Sequence, residues 1–171
     1  NKWDLSGEDL SGQDLSGIRA WSANLSKANL SGANLSDADL SKANLAEANL
    51  SGANLTNTNL RSADLENTNM TKTILDGVDL SKDKYGALPA KLDGANLSGV
   101  DLTKAKLAAG KTFSTTFRQS NLSGANLSGL DLSQISFNEA NLSGANFSGA
   151  NLSEADLFDA NFTKANLSEA N

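Results

Sequence analysis

Apolar residues recur at every fifth position along nearly the whole chain. Leucine occupies positions 5, 10 and 15 and every fifth position from 25 to 65, and Ala20 and Met70 keep the same register. The pattern pauses after position 82, resumes at Leu92 and continues to Leu167, with Thr112 as its one polar centre. A fixed short period of this kind predicts a repeat architecture in which each repeat is one structural unit.

Each repeat has a small residue, then Asn or Asp, then the apolar centre, then two polar residues or glycine. Residues 33–37, with the sequence Ala-Asn-Leu-Ser-Asp, are typical. Repeats fill residues 3–82 and 90–169, sixteen on each side of a seven-residue insertion at 83–89. Because the pattern is the same on both sides, we expect residues 1–171 to form a single domain with a loop.

A period of five fits neither a helix nor a flat strand. In an α-helix, five residues advance the chain by about 500°, so the leucines would drift around the axis. In a strand, an odd repeat would place successive leucines on opposite faces. A short extended piece that points two side chains inward, followed by a two-residue corner, restores the phase, and Ser, Gly, Asn and Asp suit such corners.

The Ala-Asn/Asp-Leu-x-x signature resembles the pentapeptide-repeat proteins, and its Ser-Gly-Ala-Asn-Leu form is similar to the cyanobacterial branch of that family. The resemblance implies an all-β fold, a right-handed quadrilateral β-helix with four repeats per coil and about eight coils, roughly 38 Å tall at the strand spacing. In such a solenoid the repeat centres form the core. The expected core residues include Leu35, Leu55, Leu75, Leu97, Phe117, Phe137, Phe147 and Phe162.

Composition removes most catalytic chemistry. The chain contains no Cys and no His, so thiol nucleophiles, imidazole bases and the commonest zinc ligands are absent. A filled solenoid also lacks the concave site that catalysis needs. We therefore predict a protein that is not an enzyme and that uses neither a cofactor nor a metal. The net charge of −6 argues against direct nucleic-acid binding, and no apolar run is long enough for a membrane span.

Two functions remain open. The first is a rigid structural, protein-binding or regulatory module whose partner is unknown. The alternative, which the family resemblance implies, is a DNA-mimicking inhibitor or protector of a type II topoisomerase such as DNA gyrase. B-DNA carries about one charge per 1.7 Å, so a mimic 38 Å long needs about twenty net charges. The chain has 20 acidic and 14 basic residues, which favours the first function.

If the insertion leaves the order of the repeats intact, every fourth repeat lies on the same face. The charges summed for each face then predict that the solenoid is electrostatically one-sided. The first face totals −4, the second −3, the third −2 and the fourth +2. The first face therefore supplies candidate partner-binding acids. They are Asp64, Glu66, Asp93, Asp131 and Glu154, although exposed carboxylates are usually only solvated charges.

Four further side chains are candidates for partner contact. Tyr85 and Leu88 lie in the insertion, and loops often carry function, although the insertion could be a mere junction between halves. Trp21 and Phe113 fall at corners, where side chains should face solvent. Each follows a weak centre, Ala20 or Thr112, so we expect both rings to fold back over local packing deficits; Phe158, also at a corner, has no such explanation.

The two ends of the repeat array differ. Trp3, with Glu8 and Gln13 in places that later hold Ala, marks the first coil as atypical, whereas the pattern runs unaltered to Asn171. An uncapped coil exposes an edge, which predicts end-to-end homo-oligomers. Fourteen Asn-x-Ser/Thr sequons argue against a eukaryotic secretory pathway. The bacterial cytoplasm is the expected location, or the periplasm or thylakoid lumen if a signal segment has been removed.

Overall fold

The computed structural model describes residues 3–82, 88–109 and 114–171, which form a right-handed quadrilateral β-helix of about eight coils. Within these ranges there is no helix and no strand longer than one bridged residue. Isolated parallel bridges link each coil to the next, as in Asp4 with Asn24 and Asn24 with Asn44. Coils 1 to 4 span 3–22, 23–42, 43–62 and 63–82. Coils 5 to 8 span 90–109, 115–134, 135–154 and 155–171.

Four columns of bridged residues define the four faces, and each repeat belongs to the face of its bridged residue. In coils 1 and 2 the A face holds Asp4 and Asn24, the B face Asp9 and Asn29, the C face Asp14 and Asn34, and the D face Arg19 and Asp39. In coil 6 the same faces hold Thr116, Asn121, Asn126 and Asp131. The D–A corner is the corner that leads from one coil to the next.

The repeat order changes twice along the chain. Bridged partners lie 20 residues apart in coils 1 to 4, 27 apart from Asp64 to Lys91, and 25 apart from Lys91 to Thr116. The first offset contains the seven residues 83–89. The second contains five extra residues between Lys106 and Thr116, so residues 90–169 do not form sixteen consecutive faces. The assumption of unbroken face order is therefore wrong beyond coil 5, and every later repeat moves by one face.

The repeat centres and the small residues before them fill the interior. Leu35, Leu55, Leu75, Leu97, Phe117, Phe137 and Phe147 are each at most 2% exposed, and Phe162 in the last coil is half-buried against them. The alanines two places before the centres are buried beside them, and Val78 and Ile135 occupy the same place at 0% exposure. The leucines thus stack in columns, and each coil is stabilised chiefly by its neighbours.

Asparagine precedes the centre because its side chain makes two bonds that few others can make together. Asn24 Oδ1 accepts from the Ser26 backbone amide at 3.3 Å, which supports the corner. The Asn24 Nδ2 donates to Asp4 Oδ1 at 2.9 Å, one coil earlier. Asn49 donates to Asn29 Oδ1 and Asn69 donates to Asn49 Oδ1 in the same way. Side-chain ladders therefore run along the faces, always donating toward the N-terminal coil.

Aspartate occupies the starting positions of these ladders, where no acceptor lies in the preceding coil. Asp4, Asp9 and Asp14 begin ladders in coil 1, Asp101 follows Ile74, and Asp131 follows Lys106. A carboxylate accepts but cannot donate, so no N–H group is left unpaired at the start. Hydrogen bonds from the hydroxyl and the amide of the Ser or Thr two residues later lower the pKa of these five carboxyls.

We predict that cysteine pairs will report the shifted register. Asp101→Cys with Asn126→Cys places two thiols on bridged C-face positions, about 4.8 Å apart at the backbone, within disulfide range. This pair should oxidise to a monomeric disulfide, detected by gel mobility and mass. The chain has no native Cys to interfere. The control pair, Asp101→Cys with Asn121→Cys, is separated by 20 residues but lies on two different faces, and its oxidation instead would refute the register.

Candidate interaction site

The register shift gathers acidic residues on the A face. Glu139, Asp156 and Asp159 join Asp64 and Glu66 there, instead of lying one face away. Across eight coils the A face has a net charge of −5. Its acids are Asp4, Glu47, Asp64, Glu66, Asp93, Glu139, Asp156 and Asp159, and its bases are Lys27, Lys91 and Arg118. The C face totals −4, the B face 0 and the D face +1.

The five acids assigned to one face from the sequence do not all share it. Asp64, Glu66 and Asp93 lie on the A face in coils 4 and 5, whereas Asp131 and Glu154 lie on the D face in coils 6 and 7. The prediction that Asp131 and Glu154 share a face with Asp64 is therefore wrong. The second insertion, five residues before Thr116, has the length of one repeat, so it leaves the period of five unchanged and shifts only the face.

Both insertions fall in the sequence between a D-face repeat and the next A-face repeat, after coil 4 and after coil 5. Between them, Lys91 and Asp93 form the A-face edge of coil 5. Glu66, Leu88, Lys91, Asp93 and Arg118 line an open depression of about 370 Å³ there. Lys91 Nζ lies 3.4 Å from Glu66 Oε1, and the Arg118 amide donates to Asp93 Oδ1 at 3.0 Å. We call this depression the insertion groove.

A second depression adjoins the insertion groove on the other side of Leu88 and Pro89. Lys42, Ser62, Asp64 and Lys91 contribute to its lining. The Ser62 hydroxyl is buried and has no hydrogen-bond partner among the described residues, which is uncommon for a buried polar atom. The two depressions form the most irregular part of an otherwise repetitive surface.

Two of the exposed apolar side chains among the described residues, Trp21 and Phe158, lie at corners. Trp21 is 65% exposed, Phe158 64% and Leu88 51%, so Trp21 does not fold back over Ala20 and that prediction is wrong. A short corner holds the ring away from the interior. Ile74, which replaces Asn on the C face and is 51% exposed, was missed because it keeps the repeat in phase. Tyr85 and Phe113 lie outside the described residues.

The described residues hold no cluster of metal-ligating side chains. Across 3–82, 88–109 and 114–171 no group of His, Cys, Asp or Glu could hold a metal ion. In the same ranges no helix has the length and apolar character needed to cross a membrane. The first and last coils leave Trp3, Leu157 and Leu167 exposed. Assembly of the solenoid end to end stays a prediction.

Comparison with known proteins places the repeats in one family. The family described as pentapeptide repeats matches in eight copies, at residues 4–41, 43–81, 90–108, 114–138 and 135–171. These matches are interrupted in the two places where the bridge offset changes. No curated protein sequence matches the chain.

Two solved structures illustrate the structural similarity. HetL, a pentapeptide-repeat protein involved in heterocyst differentiation regulation from the cyanobacterium Nostoc, is 31% identical, with a TM-score of 0.58 over 98% of this chain and 73% of HetL. A trypsin-treated form of QnrB1, a plasmid-mediated fluoroquinolone resistance protein, is 19% identical. Its TM-score is 0.61 over 100% of this chain and 86% of QnrB1, and at that identity the likeness shows the fold alone.

Proposed function

The chain belongs to the pentapeptide-repeat family, and from that premise we propose that it is a non-enzymatic, rigid protein-binding module. The observation that supports this most directly is its filled interior. Most Leu and Phe centres of coils 2 to 7 are 0–3% exposed, so side chains occupy the interior where a concave reaction site would otherwise lie. Function is therefore assigned to the outer surface.

We assign partner binding to the A face together with the insertion groove. The A face carries the largest net charge of the four faces, and both insertions fall in the sequence directly before an A-face repeat. Charge complementarity then selects a partner with a basic surface. Leu88 adds an apolar contact at the centre of this surface. A rigid solenoid holds these groups in place before binding, which lowers the entropy cost of association.

The topoisomerase-directed alternative is less well supported. A face with a net charge of −5 over about 38 Å falls far below the charge density of B-DNA, about one charge per 1.7 Å. The C face, with −4, lies on the opposite side of the solenoid, so the two acidic faces do not form one continuous surface. A basic protein surface of moderate charge suits the A face better.

Comparative capture from a cyanobacterial lysate tests the proposal. Glu66→Lys with Glu139→Lys reverses two charges on the A face, and Asp37→Lys with Glu169→Lys makes the same charge change on the C face. We expect one set of partners to bind wild type and the C-face variant and to be lost from the A-face variant. Equal capture by all three proteins would refute A-face binding. Dose-dependent inhibition of gyrase supercoiling by wild type would favour the alternative.

A further inference from the structure

The N-terminal half of the D–A corner carries an exposed aromatic ring and a column of cations. Arg19 and Trp21 lie in coil 1, and Lys42, Arg61 and Lys82 follow in coils 2, 3 and 4. The Ser22 amide donates to Ser41 O at 2.8 Å and the Lys42 amide to Arg61 O at 2.9 Å, which stacks these corners. We propose that these five residues, the cationic strip, bind an acidic peptide segment of a partner protein.

Two carboxylates, Asp39 and Asp79, lie beside the strip. Asp39 Oδ1 accepts from the Ser41 amide and hydroxyl and from Asn59 Nδ2, at 3.1, 2.7 and 3.0 Å. Asp79 is 8% exposed and is bound by Ser81 and by Arg61, whose Nη2 lies 2.7 Å away. Arg19 and Lys82 form no ion pair with any described residue. With four cations against two carboxylates, the strip has a net charge of +2.

The fold does not require cations at this corner. On the B–C corner of the same solenoid, coils 1 to 3 carry Ser-Gly at 11–12, 31–32 and 51–52. Ser-Gly corners therefore suffice to close a coil, and a binding role accounts for the cations in three successive D–A corners, those of coils 2 to 4.

Trp21 and Ser62 give the strip its other contacts. The 65% exposed indole of Trp21 offers a large apolar surface at one end, suited to anchoring an apolar side chain. At the other end, the buried Ser62 hydroxyl has no hydrogen-bond partner within the described ranges and lines the second depression. A carboxylate placed there would accept a hydrogen bond from this hydroxyl.

The length and surroundings of the strip favour a short acidic peptide over a nucleic acid. Coils 1 to 4 span about 14 Å at the strand spacing, which four to five extended residues cover. A longer polyanion would continue onto coils 6 and 7, where the D face carries Asp131 and Glu154, and would meet the acidic A face alongside.

The test uses fluorescence anisotropy of a fluorescein-labelled peptide, EELEE, titrated with the full chain at low ionic strength. We expect saturable binding that weakens at least about tenfold in Arg19→Glu with Lys82→Glu and also weakens in Trp21→Ala. The matched control, Lys72→Glu with Lys164→Glu, makes the same charge change on the B face and should shift the Kd less than about threefold. Thermal unfolding by circular dichroism verifies that each variant is folded.

Three results would overturn the proposal. They are an absence of saturable binding to wild type, equal weakening in both double variants, and tighter binding of a labelled oligothymidine than of the peptide, which would indicate a nucleic-acid surface. The strip is independent of the A-face function proposed above. Accordingly, Glu66→Lys with Glu139→Lys should leave peptide binding intact, so failure of one proposal is distinguishable from failure of the other.

Discussion

Replacing Phe137 with alanine is expected to lower the free energy of unfolding by about 3–5 kcal/mol. The ring is 0% exposed. It stacks on Phe117 in the preceding coil, with centroids 5.4 Å apart and planes 7° apart. It also meets Phe147 across its own coil edge-on, at 6.1 Å. Removing the ring leaves a cavity between Phe117 and Phe147, and the loss of these ring contacts destabilises the core.

Denaturant unfolding followed by circular dichroism measures this loss, and Phe158→Ala is its control. Phe158 is 64% exposed, so its truncation should change stability by no more than about 0.5 kcal/mol. Both tryptophans lie in coil 1, and solenoid coils depend mainly on their neighbours. We therefore expect tryptophan fluorescence in Phe137→Ala to change at a higher denaturant concentration than circular dichroism does. Similar stability of the two variants would contradict the aromatic core.

The sequence predicts the coil because the repeat unit is set by local sterics. Two inward side chains and a two-residue corner determine the period of five, and the centres at Leu35, Leu55 and Leu97 lie in the core. The alternation of Asn and Asp also has a local cause, since Asp101 and Asp131 start ladders that Asn continues. These features depend on a residue and its neighbours in adjacent coils.

The face on which a repeat lies could not be predicted in the same way, because it depends on how many extra residues precede that repeat anywhere in the chain. Five extra residues before Thr116 preserve the period and rotate every later repeat by one face. A weak signal does exist. Thr112 is a polar centre, and the corner at 108–109 is Ala-Ala where most corners carry Ser or Gly. That signal marks an irregular repeat, but hydrophobic pattern alone does not distinguish an irregular face from an insertion.

The five extra residues before Thr116 change how the acidic residues are distributed over the four faces. With unbroken order the acids divide between two adjacent faces, whereas the bridges concentrate them on the A face and on the opposite C face. On the D face, bases occupy coils 1 to 5, while Asp131 and Glu154 follow in coils 6 and 7. A solenoid with such a pattern can contact an acidic segment and a basic surface at the same time, on adjacent faces.

Thr115 closes the second insertion, and Thr115→Val should destabilise the protein by about 1–3 kcal/mol. Its amide donates to Ala108 O at 2.9 Å, and its Oγ1 accepts from the Ala108 amide at 3.1 Å. Valine keeps the shape but leaves the buried Ala108 N–H group without its acceptor. Thr58→Val is the matched control, measured in the same urea titrations. The Thr58 hydroxyl only donates to Leu35 O, which also accepts from the Ala38 amide at 3.1 Å, so its loss should cost at most about 1 kcal/mol. Equal losses would mean that the insertion is not held by this bond.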